Sequence, residues 1–320
     1  LVILVLMLKK IGLDEDAFDI DAKDGETVAR ISIPFANVHV ENLDKLSREI
    51  VDEIDRLPQF PDNIVYLQKL ISDPDSEITD IARQISMDPS LTADLLKVVN
   101  SAQFMLPKRV DNIVEAVKLV GLRGLKNLLY SYGTQKLLDQ GQEELWQHSY
   151  KTAFFAYNLA KNLRKKDLLD DAYVGGILHD MGKIIFSNVH PALLDKITKF
   201  VKDRDLSRNF IEDLSAGLNH AEIGAMIAEK WNFPDVLIQA IRYHHEPDRC
   251  SDEYKDAVYT VYLANTLCNI ESETISYDMV DKNVLRTFGI KSEEQFFTVR
   301  DRLENAFARE LEPDARENLA

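Results

Sequence analysis

The chain has 320 residues, 45% of them hydrophobic, so it can bury one large core or two medium ones. Its 54 acidic residues against 38 basic ones leave a formal net charge of −16. A field of that sign repels phosphate backbones and anionic headgroups, so neither nucleic acid nor a membrane surface is expected as a partner.

Leu1 to Leu8 are apolar but stop at Lys9-Lys10, well short of a membrane helix and without the basic start of a signal peptide. A buried strand or helix is expected there, and a chain opening on Leu suggests that part of a longer protein lies upstream. Residues 11–45 are Asp-rich, carry Asp24-Gly25 as a turn signal, and alternate through Val28 to Phe35 and Val38-His39-Val40. This predicts a short mixed or β-containing segment over residues 1–45. From Leu43 the apolar spacing becomes three and four, through Leu46, Ile50, Ile54 and Leu57, and no strand is expected after residue 45. Helices are predicted over Ser76–Met87, capped by Asp75 or Ser76, and over Leu91–Asn100 after Asp88-Pro89. Val110–Val120 and Leu122–Leu138 follow, broken at Gly121. The second half is read as Glu143–Leu163, Asp171–Phe186, Pro191–Lys202, His220–Trp231, Pro234–His245 and Tyr254–Ile270. A charged amphipathic tail helix presents Phe296, Val299, Leu303 and Phe307 to the domain or to a partner. Cys250 and Cys268 have neither metal spacing nor a disulfide framework and are read as ordinary buried or half-buried thiols, which suits a cytoplasmic location.

Leu57-Pro58-Gln59-Phe60-Pro61, Asp88-Pro89-Ser90-Leu91-Thr92, Asn100-Ser101-Ala102 and Ala116 to Gly121 stand in order along the chain. Glu212, Gly217, His220 to Ala225, Trp231-Asn232-Phe233-Pro234 and His244-His245 follow. Through these separated motifs, over residues 46 to about 270, the chain resembles the HDOD family, the HD-related output domains of bacterial signalling proteins. The resemblance implies an all-α, HD-like helical bundle with an additional N-terminal helical subdomain, used as a regulatory output or sensor module. It places an HDOD domain at 46–310, with an N-terminal helical half at 46–140 and an HD-like half at 141–310. The apolar residues within these motifs read as helix caps and core positions.

Six of the seven histidines lie between His148 and His245. His148, the pair His179-Asp180, His220, and His244-His245 fall on four predicted helices, the pattern from which a bundle encloses a divalent metal. Neighbours on a helix point about 100° apart, so His179 and Asp180 share one ion only at an irregularity, which Gly182 is expected to supply. The set is similar to that of the HD phosphohydrolases, in particular their cyclic-dinucleotide phosphodiesterase branch. Carried over residue by residue, His148, His179 and Asp180 would hold one metal and Asp180, His220, His244 and His245 a second, with Asp180 bridging. The ions implied are iron, manganese or zinc, one or two of them. The position of a further aspartate in the hydrolases is Asn265 here, which leaves a single anionic ligand. The Gly-Tyr-Pro segment of the dinucleotide enzymes is also absent, since the chain continues Pro247-Asp248-Arg249-Cys250. Buried histidines hydrogen-bonded without metal are the other reading of the cluster. Lys183 stands where it can reach a phosphate or satisfy helix-end carbonyls and solvent. His39 and His190 lack partners in the pattern and read as surface or cap residues.

The expectation is a regulatory domain without catalytic residues, working through a signalling protein or fused module, or through a homo-oligomer. A metal-dependent phosphohydrolase of a nucleotide or cyclic dinucleotide is the alternative.

Overall fold

The computed structural model describes residues 18–23, 26–31, 40–100, 109–138, 143–165, 168–189, 218–270 and 277–311. His39, His190, Glu212, Gly217, the apolar opening and the helix expected at 191–202 lie outside them. The described parts of residues 1–55 and 186–219 form one compact unit, and those of 56–185 and 220–320 another.

In the first unit, β1 (Phe18–Lys23) pairs antiparallel with β2 (Glu26–Ile31), Phe18 opposite Ile31 and Lys23 opposite Glu26. The expected β-containing segment is therefore a hairpin. α1 (Val40–Arg56) starts earlier than the sequence suggested. Val40 reads as alternating with Val38, yet it also extends the three-residue step to Leu43, and the helix takes it.

The second unit is helical. α2 (Asp62–Ser72) was missed by the sequence reading, although Ile64, Leu67 and Ile71 bury a clean helical stripe. α3 (Ile78–Ser86) starts after Glu77 rather than at the expected Asp75 or Ser76 cap. α4 (Pro89–Val99) has Pro89 in its first turn, where the missing N–H costs nothing. Asp88 does not merely close the preceding helix. Its Oδ1 accepts from the backbone of Ser90 and Leu91, both at 3.1 Å, and so caps α4. Asn100 clamps Val110, its amide donating to the Val110 carbonyl and accepting from the Val110 nitrogen, both at 2.7 Å. α5 (Ile113–Leu138) breaks at Gly121, where φ is 75°, a left-handed value that glycine adopts without strain.

α6 (Glu143–Asn162), α7 (Leu168–Leu178), α8 (Gly182–Val189), α9 (His220–Lys230) and α10 (Asp235–Arg242) follow. α11 (Lys255–Asn269), α12 (Lys282–Thr287) and α13 (Glu293–Leu311) complete the order. Phe155 and Leu159 of α6 share one buried cluster with Val258 and Leu263 of α11, Val284 of α12, and Phe296 and Leu303 of α13. The tail helix therefore packs on its own domain, with the Phe307 ring 5.4 Å from that of Phe154. Burial of each such side chain contributes about 1.5–3 kcal/mol.

Two motifs far apart in sequence meet in an aromatic cluster. The Phe60 ring lies 5.4 Å from those of both Trp231 and Phe233, and Tyr130 lies 4.4 Å from Phe233. Trp231 Nε1 donates to the Pro58 carbonyl at 3.1 Å. Asn232 turns the chain between α9 and α10 at φ 54°, a conformation its short polar side chain tolerates. The N-terminal helical half thus holds the turn of the α9–α10 hairpin.

Candidate metal centre

α7 runs through the apolar stretch to Leu178, and the chain then turns through His179, Asp180 and Met181 before α8 opens at Gly182. That turn lets both members of the pair face inward. The irregularity expected from Gly182 is present, but Gly182 makes it in a different way. It is not left-handed; a Cβ there would sit 2.6 Å from the Gly224 nitrogen and collide with the His220 carbonyl. Its lack of a side chain lets the start of α8 lie against the start of α9, which brings His220 to Asp180.

Asp180 is the hub and is fully buried. Its Oδ2 lies 3.3 Å from His179 Nε2, 3.6 Å from His148 Nε2 and 2.8 Å from Lys183 Nζ. Its Oδ1 lies 3.3 Å from His220 Nε2 and 3.6 Å from His244 Nε2. His220 Nε2 is also 3.3 Å from His244 Nε2 and 3.1 Å from His245 Nε2. The ligand atoms fall into two groups, each within 4.8 Å: His148, His179 and Asp180, and then Asp180, His220, His244 and His245. Asn265 joins the first group, its Oδ1 3.1 Å from His148 Nε2. All seven residues singled out from the sequence meet here, and Lys183 lies on Asp180 as well.

Backbone carbonyls fix two of the rings. His179 Nδ1 bonds the Gly176 carbonyl at 2.8 Å and His244 Nδ1 bonds that of Ile241 at 2.6 Å. A carbonyl only accepts, so both Nδ1 atoms carry hydrogen, which leaves Nε2 as the nitrogen that can present a lone pair to the pocket. Burial lowers the His148 imidazole to about 4 and that of His244 to about 3, and holds His245 well below the ordinary value, so these rings are neutral. Burial pushes the Asp180 carboxyl up, but interaction with His179 and with the Lys183 ammonium outweighs it and holds the group well below the usual carboxylate range.

Among the described residues, His179 Nε2 and Asp180 Oδ1 are buried with no hydrogen-bond partner. An unpaired buried polar atom is costly, and here lone pairs and an anionic oxygen converge on shared space. A divalent cation satisfies such a donor set, and imidazole with carboxylate suits zinc, iron or manganese. The cluster could therefore hold a metal ion. The Gly176 and Ile241 carbonyls, each three residues before its histidine, escaped the sequence reading, as did Thr152, whose hydroxyl oxygen is 3.5 Å from His148 Nε2. The regular three- and four-residue offsets from each histidine were the available signal.

A helical bundle with a His-Asp pair at its centre defines an HD-type protein. The family model of the HDOD domain matches residues 57–247, and the chain belongs to that family. An uncharacterized protein of Treponema pallidum (strain Nichols) is 39% identical over 97% of this chain, and the chain spans 61% of that relative's length. Three solved structures share the fold. An HDOD domain protein of unknown function from Geobacter sulfurreducens has a TM-score of 0.66 at 22% identity, covering 85% of this chain and 97% of its own. A candidate phosphohydrolase of Shewanella amazonensis SB2B gives 0.63 at 24%, covering 82% and 95%. A candidate signal-transduction protein of Marinobacter aquaeolei VT8 gives 0.64 at 22%, covering 88% and 69%. Among the described residues no helix is long and apolar enough to cross a membrane.

Proposed function

We propose that the chain is a cytoplasmic signal-transduction output module, in which residues 46–310 act as the HDOD unit and the histidine pocket is a metal-holding centre that tunes contacts with a signalling partner, a fused module or a second copy. Residues 1–45 would belong to a preceding part of a longer protein. His148, His179, Asp180, His220, His244 and His245 would hold the metal. When bound, it would supply positive charge and Lewis acidity in the bundle core. Asp180 would present its two oxygens to opposite sides, and the carbonyl-anchored rings would keep Nε2 turned inward.

One observation carries the regulatory reading: the residue facing His148 is the neutral amide of Asn265, at 3.1 Å, so Asp180 is the one anion of the ligand set. A site with a single carboxylate disfavours the paired ions that clamp the attacking and leaving oxygens of a phosphoester. The intact first triad, His148, His179 and Asp180, is the feature that favours the alternative, a phosphohydrolase. The test is hydrolysis of cyclic dinucleotides, nucleoside monophosphates and bis-p-nitrophenyl phosphate with manganese, iron or zinc. Negligible release supports the module, and turnover of about 1 per second or more, an ordinary enzyme rate, overturns it.

A further inference from the structure

The two sides of Asp180 are not equivalent. Lys183, three residues on and at the start of α8, places its ammonium 2.8 Å from Oδ2 with the side chain only 18% exposed. The oxygen that would serve the first metal position is thus already neutralised from within the chain. His148 is committed as well. Asn269 Nδ2 donates to Asn265 Oδ1 at 2.9 Å and orients that amide, and the same oxygen lies 3.1 Å from His148 Nε2. An amide oxygen only accepts, so His148 Nε2 carries the hydrogen and its lone pair sits on Nδ1. Of the first group, His179 Nε2 alone has no partner, and a single imidazole is a poor holder of an ion. On the other side the ring nitrogens contact one another, His220 Nε2 lying 3.3 Å from His244 Nε2 and 3.1 Å from His245 Nε2, but the Lys183 ammonium is on Oδ2 and not on Oδ1. Oδ1 is buried and unpartnered, with the Nε2 atoms of His220 and His244 at 3.3 and 3.6 Å.

Resting on the metal-holding reading above, we propose that the Lys183 ammonium stands in for the first metal ion, so that the chain takes one divalent cation, on the Oδ1 side between Asp180, His220, His244 and His245. Lys183 then acts as a fixed internal charge and not as a phosphate contact. The single ion lies on the side opposite Asn265.

The test counts ions on the full chain, stripped with chelator and titrated with Mn2+ alone, by elemental analysis and by electron paramagnetic resonance, which separates isolated from exchange-coupled Mn2+. The unmodified chain should bind one isolated ion. His220→Ala should weaken it at least tenfold, while Arg83→Ala, an exposed change in α3, leaves it unchanged. Lys183→Met combined with Asn265→Asp should admit a second, coupled ion, and Lys183→Arg should remain at one. Circular dichroism checks folding, and Lys183→Gln replaces Lys183→Met if the latter does not fold. Two ions on the unmodified chain, or one ion that persists in Lys183→Met/Asn265→Asp, would overturn the role of Lys183 and leave the metal centre standing. No ion in any folded variant would remove the metal centre itself.

Discussion

Replacing Gly182 with alanine tests the close approach on which the pocket depends. The added Cβ would lie 2.6 Å from the Gly224 nitrogen and 3.0 Å from the His220 carbonyl carbon, with the carbonyl oxygen nearer still. Ordinary contacts between such atoms are about 3.5 Å, so the starts of α8 and α9 must separate by roughly 1 Å. The obstructing atoms are backbone, which cannot rotate aside. The cost therefore sits at the upper end of overpacking penalties, about 3 kcal/mol, or roughly 6–12 °C in melting temperature for a domain of this size. Metal ligands must sit within about 0.2 Å of their ideal distance, so moving His220 from Asp180 should also cut Mn2+ affinity at least tenfold. Thermal melts with and without Mn2+, beside calorimetric titration, measure both effects. Gly175→Ala is the control: its Cβ meets only side chains, Val261 Cγ2 at 3.0 Å and Ala240 Cβ at 3.3 Å, and should cost about 1 kcal/mol. If Gly182→Ala melts within 2 °C of the parent and binds Mn2+ equally well, the reasoning from close approach is wrong.

In chelator, stability should fall with acid. His148 and His244 lie at about 4 and 3 in the fold against 6.5 when free, so the unfolded chain takes up protons first, and their contribution is complete above about pH 6.5 and is lost as pH falls toward those values. Going from pH 7.5 to 5.5 should cost about 1 kcal/mol per histidine, and urea midpoints that do not move would rule out neutral buried rings. Phe60→Ala should destabilise by about 3–5 kcal/mol, since Phe60 is a buried ring among Tyr130, Trp231 and Phe233. In a Trp146→Phe background the emission of Trp231 should move to the red, and unchanged emission would show that Phe60 does not seal the cluster. Asn265→Asp alone, with the Lys183 ammonium still on Asp180 Oδ2, should leave the chain at one ion; a second ion bound by this single variant would show that Lys183 does not hold the first position.

The sequence made the site more legible than the boundaries around it. Histidine and aspartate carry chemistry that few core positions need, and their placement on four helices already required convergence, which the distances around Asp180 meet. Motif order identified the family for the same reason. Local signals misled where two patterns overlap. Val40 fits both an alternating strand and the helical stripe of α1, and α2 lies between Pro61 and Asp73, where punctuation hid a short apolar period. Asp88 reads as a helix stop, but its carboxylate caps the next helix and also accepts from Asn63 at 3.1 Å, a contact between residues 25 apart that no local rule contains. The function of Gly182 was likewise out of reach, because it depends on what α9 places against it.

The α9–α10 hairpin ties the two ends of the domain together. His220 opens α9 and His244-His245 follow α10, while the turn between the helices sits among Phe60 and Tyr130. Eleven helical residues span roughly 16 Å, so the aromatic socket and the ligands are one stiff helix length apart. The histidine half is consequently not a portable part. Excising residues 141–310 would strip Trp231 of the Pro58 carbonyl and expose Phe233, releasing the far end of the rod that sets the His220 position. Grafting experiments need to carry the Leu57–Pro61 segment with the pocket, and sequence change at Phe60 will be felt at a centre it never touches.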